Sequence, residues 1–288
     1  QLSTALMISK SVALSCPNGQ ATLVGSGTDR VVYVNATGVS LTNIVMTGGT
    51  TTSSGGGLYS NSKANLTLSG CVFSNNVAVT QSGGAYIYGN SVLKNCLFLG
   101  NSTTSLADGN GGGNLFVSSG SASITDCEFF NGTSPTNASG YNYGGGAVQI
   151  TATAPVFSGC LFSNNVAGDG GAVRVRSGTP VFTNCTFVGN SAQTLGGAYD
   201  GAGILVDCAF KSNTSVQPIA SNGGSALWSV GTVTTRCLFE NNQMLKNGDC
   251  GGAVSGSSGW FTNCTFRANT SAGKGGAVMT TGSLLFHG

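Results

Sequence analysis

A Gly-Gly pair recurs nine times along this chain of 288 residues, at intervals of about 27 residues. The pairs are Gly56-Gly57, Gly83-Gly84, Gly112-Gly113, Gly145-Gly146, Gly170-Gly171, Gly196-Gly197, Gly223-Gly224, Gly251-Gly252 and Gly275-Gly276. Such a period indicates a repeat protein in which each unit packs on its neighbours. A propeller blade needs about 40 residues for its four antiparallel strands, so the shorter interval favours a solenoid.

A Cys-x-Phe motif follows eight of the nine pairs. Its cysteines are Cys71, Cys96, Cys127, Cys160, Cys185, Cys208, Cys237 and Cys264. An Asn lies three residues after the Phe in seven of these repeats, and in the other repeat Asn131 comes one position early. Side chains alternate between the two faces of a β-strand, so the Cys and the Phe of each motif point to the same side.

Short strands in a fixed register predict an all-β protein, a single right-handed parallel β-helix of about ten to eleven turns with almost no helix. The turns of such a solenoid stack at about 4.8 Å, so equivalent residues form ladders. We expect the Cys and Phe columns to form the core. We expect the Asn column to lie at bends, where Asn tolerates left-handed backbone, and the Gly pairs to lie where no Cβ atom fits.

We interpret residues 1–288 as one domain, with opening or capping turns in 1–37 and regular repeats in 38–288. Ile44 and Met46 take the places of Cys and Phe in a degenerate first turn. Near the other end, Phe286 fits the apolar column that lies three residues before each Cys, and the next Cys would fall just past the last residue. We therefore expect the chain to be a fragment of a longer polypeptide.

The combination of Gly-Gly-Ala with Phe-x-x-Asn resembles the repeat of the chlamydial polymorphic outer membrane proteins, over about residues 38–288. Examples are the segments 145–148 and 162–165. The opening from Val12 to Val34 also looks like the first turns of pectin-lyase-like β-helix surface proteins. The chlamydial resemblance implies a surface-exposed adhesin.

Charged residues make up only 7% of the chain, with 11 Lys and Arg against 9 Asp and Glu. A net charge of +2 provides no basic stripe, so we expect no nucleic-acid partner. No apolar run reaches the roughly 18 residues that a membrane span needs, so we expect no span in this chain.

Eight of the ten cysteines belong to the Cys-x-Phe column, and Cys16 and Cys250 lie outside it. Buried, small, apolar thiols are the simplest interpretation of this column. Disulfides between successive turns need Cβ atoms about 3.8 Å apart, closer than the stacking distance, so they would require local adjustment. The sequence has no Cys-x-x-Cys motif and no Cys/His cluster, which argues against zinc, and we expect no metal or other cofactor.

Nine Asn-x-Ser/Thr sequons are candidates for N-glycosylation, and their positions in the repeat separate them into two groups. The candidates expected at bends or on outward positions are Asn35, Asn65, Asn131, Asn137, Asn184 and Asn263. Asn101, Asn213 and Asn269 belong to the Phe-x-x-Asn column. An asparagine that points inward cannot carry a glycan, so these three are poor candidates.

A polysaccharide-binding or polysaccharide-cleaving protein of the pectin-lyase-like kind is the alternative that the fold raises. Glycoside hydrolysis needs paired carboxylates, whereas the seven Asp and two Glu here are scattered. The best cluster is Arg174, Arg176 and Asp200. Arg174 and Asp200 share a register in adjacent turns, and we interpret them as a surface ion pair. His287 is the only histidine, and we predict no enzyme and no catalytic residue.

These observations predict a non-enzymatic extracellular β-helix at the cell surface, with a structural or adhesive role in a coat, appendage or filament. Exposed strand edges favour self-association or contact with other surface proteins. Glycans are further expected partners.

Overall fold

The structure is a computed structural model that describes residues 1–61, 64–107, 109–136, 144–216, 223–246 and 251–288. Every regular element within these ranges is a β-strand. The strands pair in parallel from turn to turn, and one wall contains ten strands, one from each turn. The chain is therefore a parallel β-helix of about ten turns, which confirms the predicted fold class.

The first wall of the solenoid is an 18-stranded sheet that takes two strands from most turns. The first strands are Leu6–Ile8, Val32–Val34, Leu58–Ser60, Ala85–Ile87, Leu115–Val117, Val148–Ile150 and Val173–Val175. The second strands are Ala13–Ser15, Val39–Thr42, Leu66–Ser69, Val92–Lys94, Ser123–Thr125, Val156–Ser158 and Val181–Thr183.

In the last four turns the first and second strands run together as longer strands. These strands are Tyr199–Val206, Leu227–Thr235, Val254–Thr262 and Val278–His287. The repeat pattern predicts only two or three strands of three to five residues in each turn, and these four are longer. The physical reason is that small residues such as Gly201 and Gly203 form bulges, where the register shifts but pairing continues on both sides.

The second wall is a 10-stranded sheet that carries the Cys-x-Phe motifs. Its strands are Ala21–Val24, Ile44–Thr47, Val72–Ser74, Leu97–Leu99, Glu128–Phe130, Leu161–Ser163, Thr186–Val188, Ala209–Lys211, Leu238–Glu240 and Thr265–Arg267. The third wall consists of two-residue strands: Thr50–Thr51, Val77–Ala78, Ser102–Thr103, Val166–Ala167, Ser191–Ala192, Thr214–Ser215, Gln243–Met244 and Thr270–Ser271. Thr133 bridges Ser102 and Val166 and so joins the two parts of this wall.

The inward columns of the walls form one continuous core. Each Phe of the Cys-x-Phe motif stacks on its equivalent in the next turn, with ring centroids 4.6–4.9 Å apart and planes within 10° over seven successive pairs. Met46 is the register partner of Phe73, so the degenerate first turn continues the column. Aromatic pairs add about 0.5–1.5 kcal/mol each beyond the area that they bury, so the column is a major link between turns.

Two left-handed corners flank the second-wall strand of each turn. The corner before the Cys position has φ between 51° and 64° and is formed by Asn43, Gly70, Asn95, Asp126, Gly159, Asn184, Asp207, Arg236 and Asn263. The corner two residues after the Phe has φ between 50° and 65° and is formed by Asn75, Gly100, Asn131, Asn164, Gly189, Ser212, Asn241 and Ala268. Gly, Asn and Asp adopt this backbone at the least cost. The Asn of Phe-x-x-Asn thus lies one residue beyond the corner, rather than being the bend residue that the sequence suggests.

The second Gly of most Gly-Gly pairs lies where adjacent turns approach closely. A Cβ atom at Gly146 would lie 2.2 Å from the carbonyl oxygen of Gly171, and one at Gly171 would lie 2.0 Å from that of Gly197. No side chain fits at these positions, so the Gly-Gly pairs mark backbone contacts between turns.

Candidate functional site

The asparagines of Phe-x-x-Asn form a column inside the solenoid, which we call the Asn column. At Asn190 the Nδ2 group donates hydrogen bonds to Asn213 Oδ1 and to the Phe162 carbonyl oxygen, both at 3.0 Å. The Asn190 backbone N–H also donates to Asn213 Oδ1. The same set recurs in neighbouring turns, so these buried amides are satisfied by the turns on both sides.

One turn lacks its column asparagine, because Gly132 occupies that place. Asn114 fills the gap from the position where other repeats have Ala. Its Oδ1 accepts a hydrogen bond from Asn101 Nδ2 at 2.9 Å, and its Nδ2 donates to Asn165 Oδ1 and to the Phe130 carbonyl oxygen, both at 3.3 Å. A Cβ atom on residue 132 would clash with the Asn114 amide. The glycine and the displaced asparagine therefore form one compensated exchange, which repeat alignment alone does not reveal.

The eight cysteines of the Cys-x-Phe motifs form a column beside the Phe column, and all but the last of them are buried. Cys96 Sγ donates to the Leu68 carbonyl oxygen in the preceding turn at 3.6 Å. Hydrogen bonding to the Cys127 thiol, together with burial, raises the pKa of Cys96 to about 12. A protonated, buried thiol is a poor nucleophile, so Cys96 serves packing. All nine described cysteines are free, including Cys16 off the column, and Cys250 lies outside the described residues.

Arg174 bridges two buried carboxylates on the outer side of the first wall, and we call these three residues the Arg174 triad. Arg174 Nη1 lies 2.8 Å from Asp200 Oδ2, its register partner in the next turn, and 2.5 Å from Asp169 Oδ2. Asp169 also accepts hydrogen bonds from Thr194 Oγ1 and the Leu195 N–H. Asp200 is 4% exposed and Asp169 is 2% exposed. The surface ion pair that the sequence predicts is therefore a buried cluster, and the prediction missed one of its carboxylates.

A cleft of about 250 Å³ opens beside the triad, with Arg176, Trp228 and Val230 in its lining. Burial raises the pKa of Asp200 to about 7, against the opposing effect of the Arg174 guanidinium. Although Asp200 Oδ2 lies within ion-pair distance of Arg174, it makes no hydrogen bond of good geometry within the described structure. A carboxyl group that titrates near neutrality beside a guanidinium can bind polar ligands or exchange a proton.

Residues 18–235, well over half of the chain, match the model of the family described as the right handed beta helix region. The chain belongs to this family. Residues 263–281 also match the repeat of the Chlamydia polymorphic membrane protein, in agreement with the resemblance seen in the repeats. No curated protein and no solved structure matches the chain.

Further ion pairs link neighbouring turns on the surface of this right-handed β-helix. Arg236 donates from Nε and Nη2 to the two carboxylate oxygens of Asp207, both at 2.7 Å. The hydrogen bond from Arg236 lowers the pKa of Asp207. Glu240 in turn pairs with Arg267 and with Lys211. Each of these pairs joins residues at the same place in successive turns.

Five of the predicted glycosylation candidates have exposed side chains: Asn35, Asn65, Asn131, Asn184 and Asn263. The last three occupy left-handed corners, where the side chain leaves the solenoid. Their glycosylation stays a prediction.

The sequons in the Asn column differ in their exposure. Asn101 and Asn213 are fully buried, and Asn269 is half-buried. Asn137 lies outside the described residues.

Within the ranges given above, no three His, Cys, Asp or Glu side chains are arranged to hold a metal ion. The same part of the chain contains no helix with the length and apolar character needed to cross a membrane. The Asn column, the Arg174 triad and the cross-turn ion pairs are among the polar groups that the described fold brings together.

Replacing Asn114 with Ala should lower the free energy of unfolding by about 1–3 kcal/mol, because Asn101 and Asn165 lose the group that bridges them in the core. Urea unfolding followed by circular dichroism measures this change. The control is Asn35→Ala, which removes an exposed amide and should shift the midpoint little. Equal midpoints for the two variants would contradict the bridging role of Asn114.

Thermal stability should fall as the pH rises from about 4 to about 7, because native Asp200 keeps a proton that the unfolded chain releases at about pH 4. The pKa of Asp200 is raised by burial, so the native state binds more protons across this window. Asp200→Asn should flatten the dependence of Tm on pH between about pH 4 and about pH 7. Asp207→Asn removes an exposed carboxylate and should leave this dependence unchanged. A slope that survives in Asp200→Asn would assign the titration to another group.

The folded chain secreted from a eukaryotic host should carry glycans on exposed sequons but none on Asn101 or Asn213, because a glycan on either buried amide would prevent the Asn column from closing. Enzymatic deglycosylation in heavy-oxygen water, followed by peptide mass spectrometry, marks each occupied asparagine. The two buried sites serve as internal controls. A glycan on either of them in the folded, secreted chain would contradict the closed Asn column.

Proposed function

We propose that this chain is a non-enzymatic, extracellular β-helix with a structural or adhesive role at the cell surface, in a coat, appendage or filament. The observation that carries the proposal is a set of ion pairs between successive turns in the later part of the chain. The ion pair of Asp207 with Arg236 and that of Glu240 with Arg267 each link one turn to the next. In a chain with only 7% charged residues, charges placed in register between successive turns favour a structural role.

The continuous core supports the same proposal. Ten turns at about 4.8 Å give a rod of roughly 45 Å whose Phe and Asn columns run through successive turns. Such a solenoid presents fixed outward columns and resists bending, which suits a spacer or an adhesive stalk. The match of residues 263–281 to the repeat of a membrane protein of Chlamydia also favours a surface location.

Antibody labelling of intact cells of the source organism tests this location. We expect labelling without permeabilisation, and we expect brief treatment of intact cells with an external protease to remove it. A cytoplasmic protein serves as the control for cell integrity. Labelling that requires permeabilisation would overturn the proposed surface role.

Binding or cleavage of a polysaccharide is a second candidate, favoured by the cleft beside the Arg174 triad. Asp200 there combines burial, a pKa near 7 and a neighbouring tryptophan, Trp228. Incubation with acidic and neutral polysaccharides, with detection of unsaturated and reducing-end products, separates the two functions. The first proposal expects no products. Products that are lost in Asp200→Asn and retained in Asp207→Asn would replace the first proposal with the second.

A further inference from the structure

An apolar stripe runs along the outside of the first wall in the later turns. It consists of Val156, Val181, Ile204, Val233, Trp260 and Leu285, each the register partner of the next. Four of its six members are exposed, and Trp260 is 52% exposed although it has stripe neighbours on both sides. The residues lie just before the inward apolar column, so they point to solvent.

The same column is mainly polar in the earlier turns. Ser40, Thr67, Val92 and Ser123 occupy it there, again in continuous register. The fold therefore accepts small polar residues at these positions, and core packing does not require the apolar residues of the stripe. A contiguous exposed apolar surface that the fold does not need is typical of an interaction site.

Beside the stripe, the face carries one bidentate charge pair. Asp207 lies three residues after Ile204, and Arg236 lies three residues after Val233, both at the corner that borders the stripe. The Asp207–Arg236 pair therefore sits at the level of the centre of the stripe, with three stripe residues on each side of that level.

We propose that the stripe packs face to face on the stripe of a second copy of this chain, with the two solenoids antiparallel. A two-fold axis that lies in the interface between the levels of Ile204 and Val233 places each of these residues against the other in the partner copy. The same axis sets Asp207 opposite the second copy's arginine at position 236, so four charges alternate in sign. Parallel copies, related by an axis along the solenoids, would instead place the two charge pairs on opposite sides of the stripe, where they do not meet, so only the antiparallel arrangement uses their complementarity. This inference rests on the proposed structural role and names its partner.

The size of the stripe sets the expected strength. Six turns at about 4.8 Å span about 24 Å. A strip of this length and one side chain wide has an area well short of the roughly 800 Å² per partner that a stable complex buries. The association is therefore weak and reversible. Such a contact becomes effective where many copies are crowded side by side on one surface.

Sedimentation equilibrium of the chain over a wide concentration range tests the proposal. We expect a reversible dimer whose Kd rises at least about tenfold in the double variant Val233→Thr/Trp260→Thr, because exposed tryptophans dominate such contacts. Val92→Thr is the matched control: Val92 lies in the same column, is 44% exposed and is outside the stripe. Circular dichroism confirms that each variant folds.

The charges test the antiparallel arrangement separately. Asp207→Arg should weaken the dimer, because it sets arginine against arginine, and the exchange Asp207→Arg/Arg236→Asp should restore it. A dimer that survives the double threonine variant, or one that is weakened equally by Val92→Thr, would overturn the stripe as the interface. A chain that stays monomeric at the highest concentration would also overturn it. None of these results touches the surface location, which the labelling of intact cells decides by itself.

Discussion

Parallel backbone hydrogen bonds hold each turn at a fixed distance from the next, and the other features of the molecule depend on this spacing. Because the register does not drift between most turns, a residue meets its own equivalent above and below. Phenylalanine rings stack at 4.6–4.9 Å for this reason, and each amide of the Asn column reaches the next. A residue type that stacks well on its own kind is therefore favoured at the same position in every turn, and the sequence repeats.

The inward columns could be predicted from the sequence because their spacing survives insertions in the bends. Contacts between different columns could not be predicted. Asn114 lies in the alanine position of its repeat, and only the folded chain shows that its amide reaches the place left by Gly132. Asp169 likewise looks like a lone bend residue. Its carboxylate meets Arg174 because the bend brings the two side chains together across five residues.

The alternation of side chains along a strand also could not predict which outward residues are buried. Gln149 points away from the core yet is fully buried, and its Nε2 donates to the Gly109 carbonyl oxygen at 2.8 Å. The residues before the Gly112-Gly113 pair of the preceding turn thus cover part of the outward face. Alternation along a strand assigns a side chain to one face or the other. It does not say whether that face meets water, and for the same reason Asp200 was expected at the surface.

Inward and outward positions are under different physical constraints, and this difference leaves the outward positions freer to vary. An inward residue must fit the turns on both sides, so a change in the Phe or Asn column disturbs its neighbours. An outward residue has fewer neighbours to fit, and solenoid stability is close to a sum of local terms. One stretch of an outward column can therefore become apolar, as from Val156 to Leu285, while an earlier stretch of the same column stays mainly polar. The regular core sets only the spacing of these surfaces, and their chemistry is free to specify a partner.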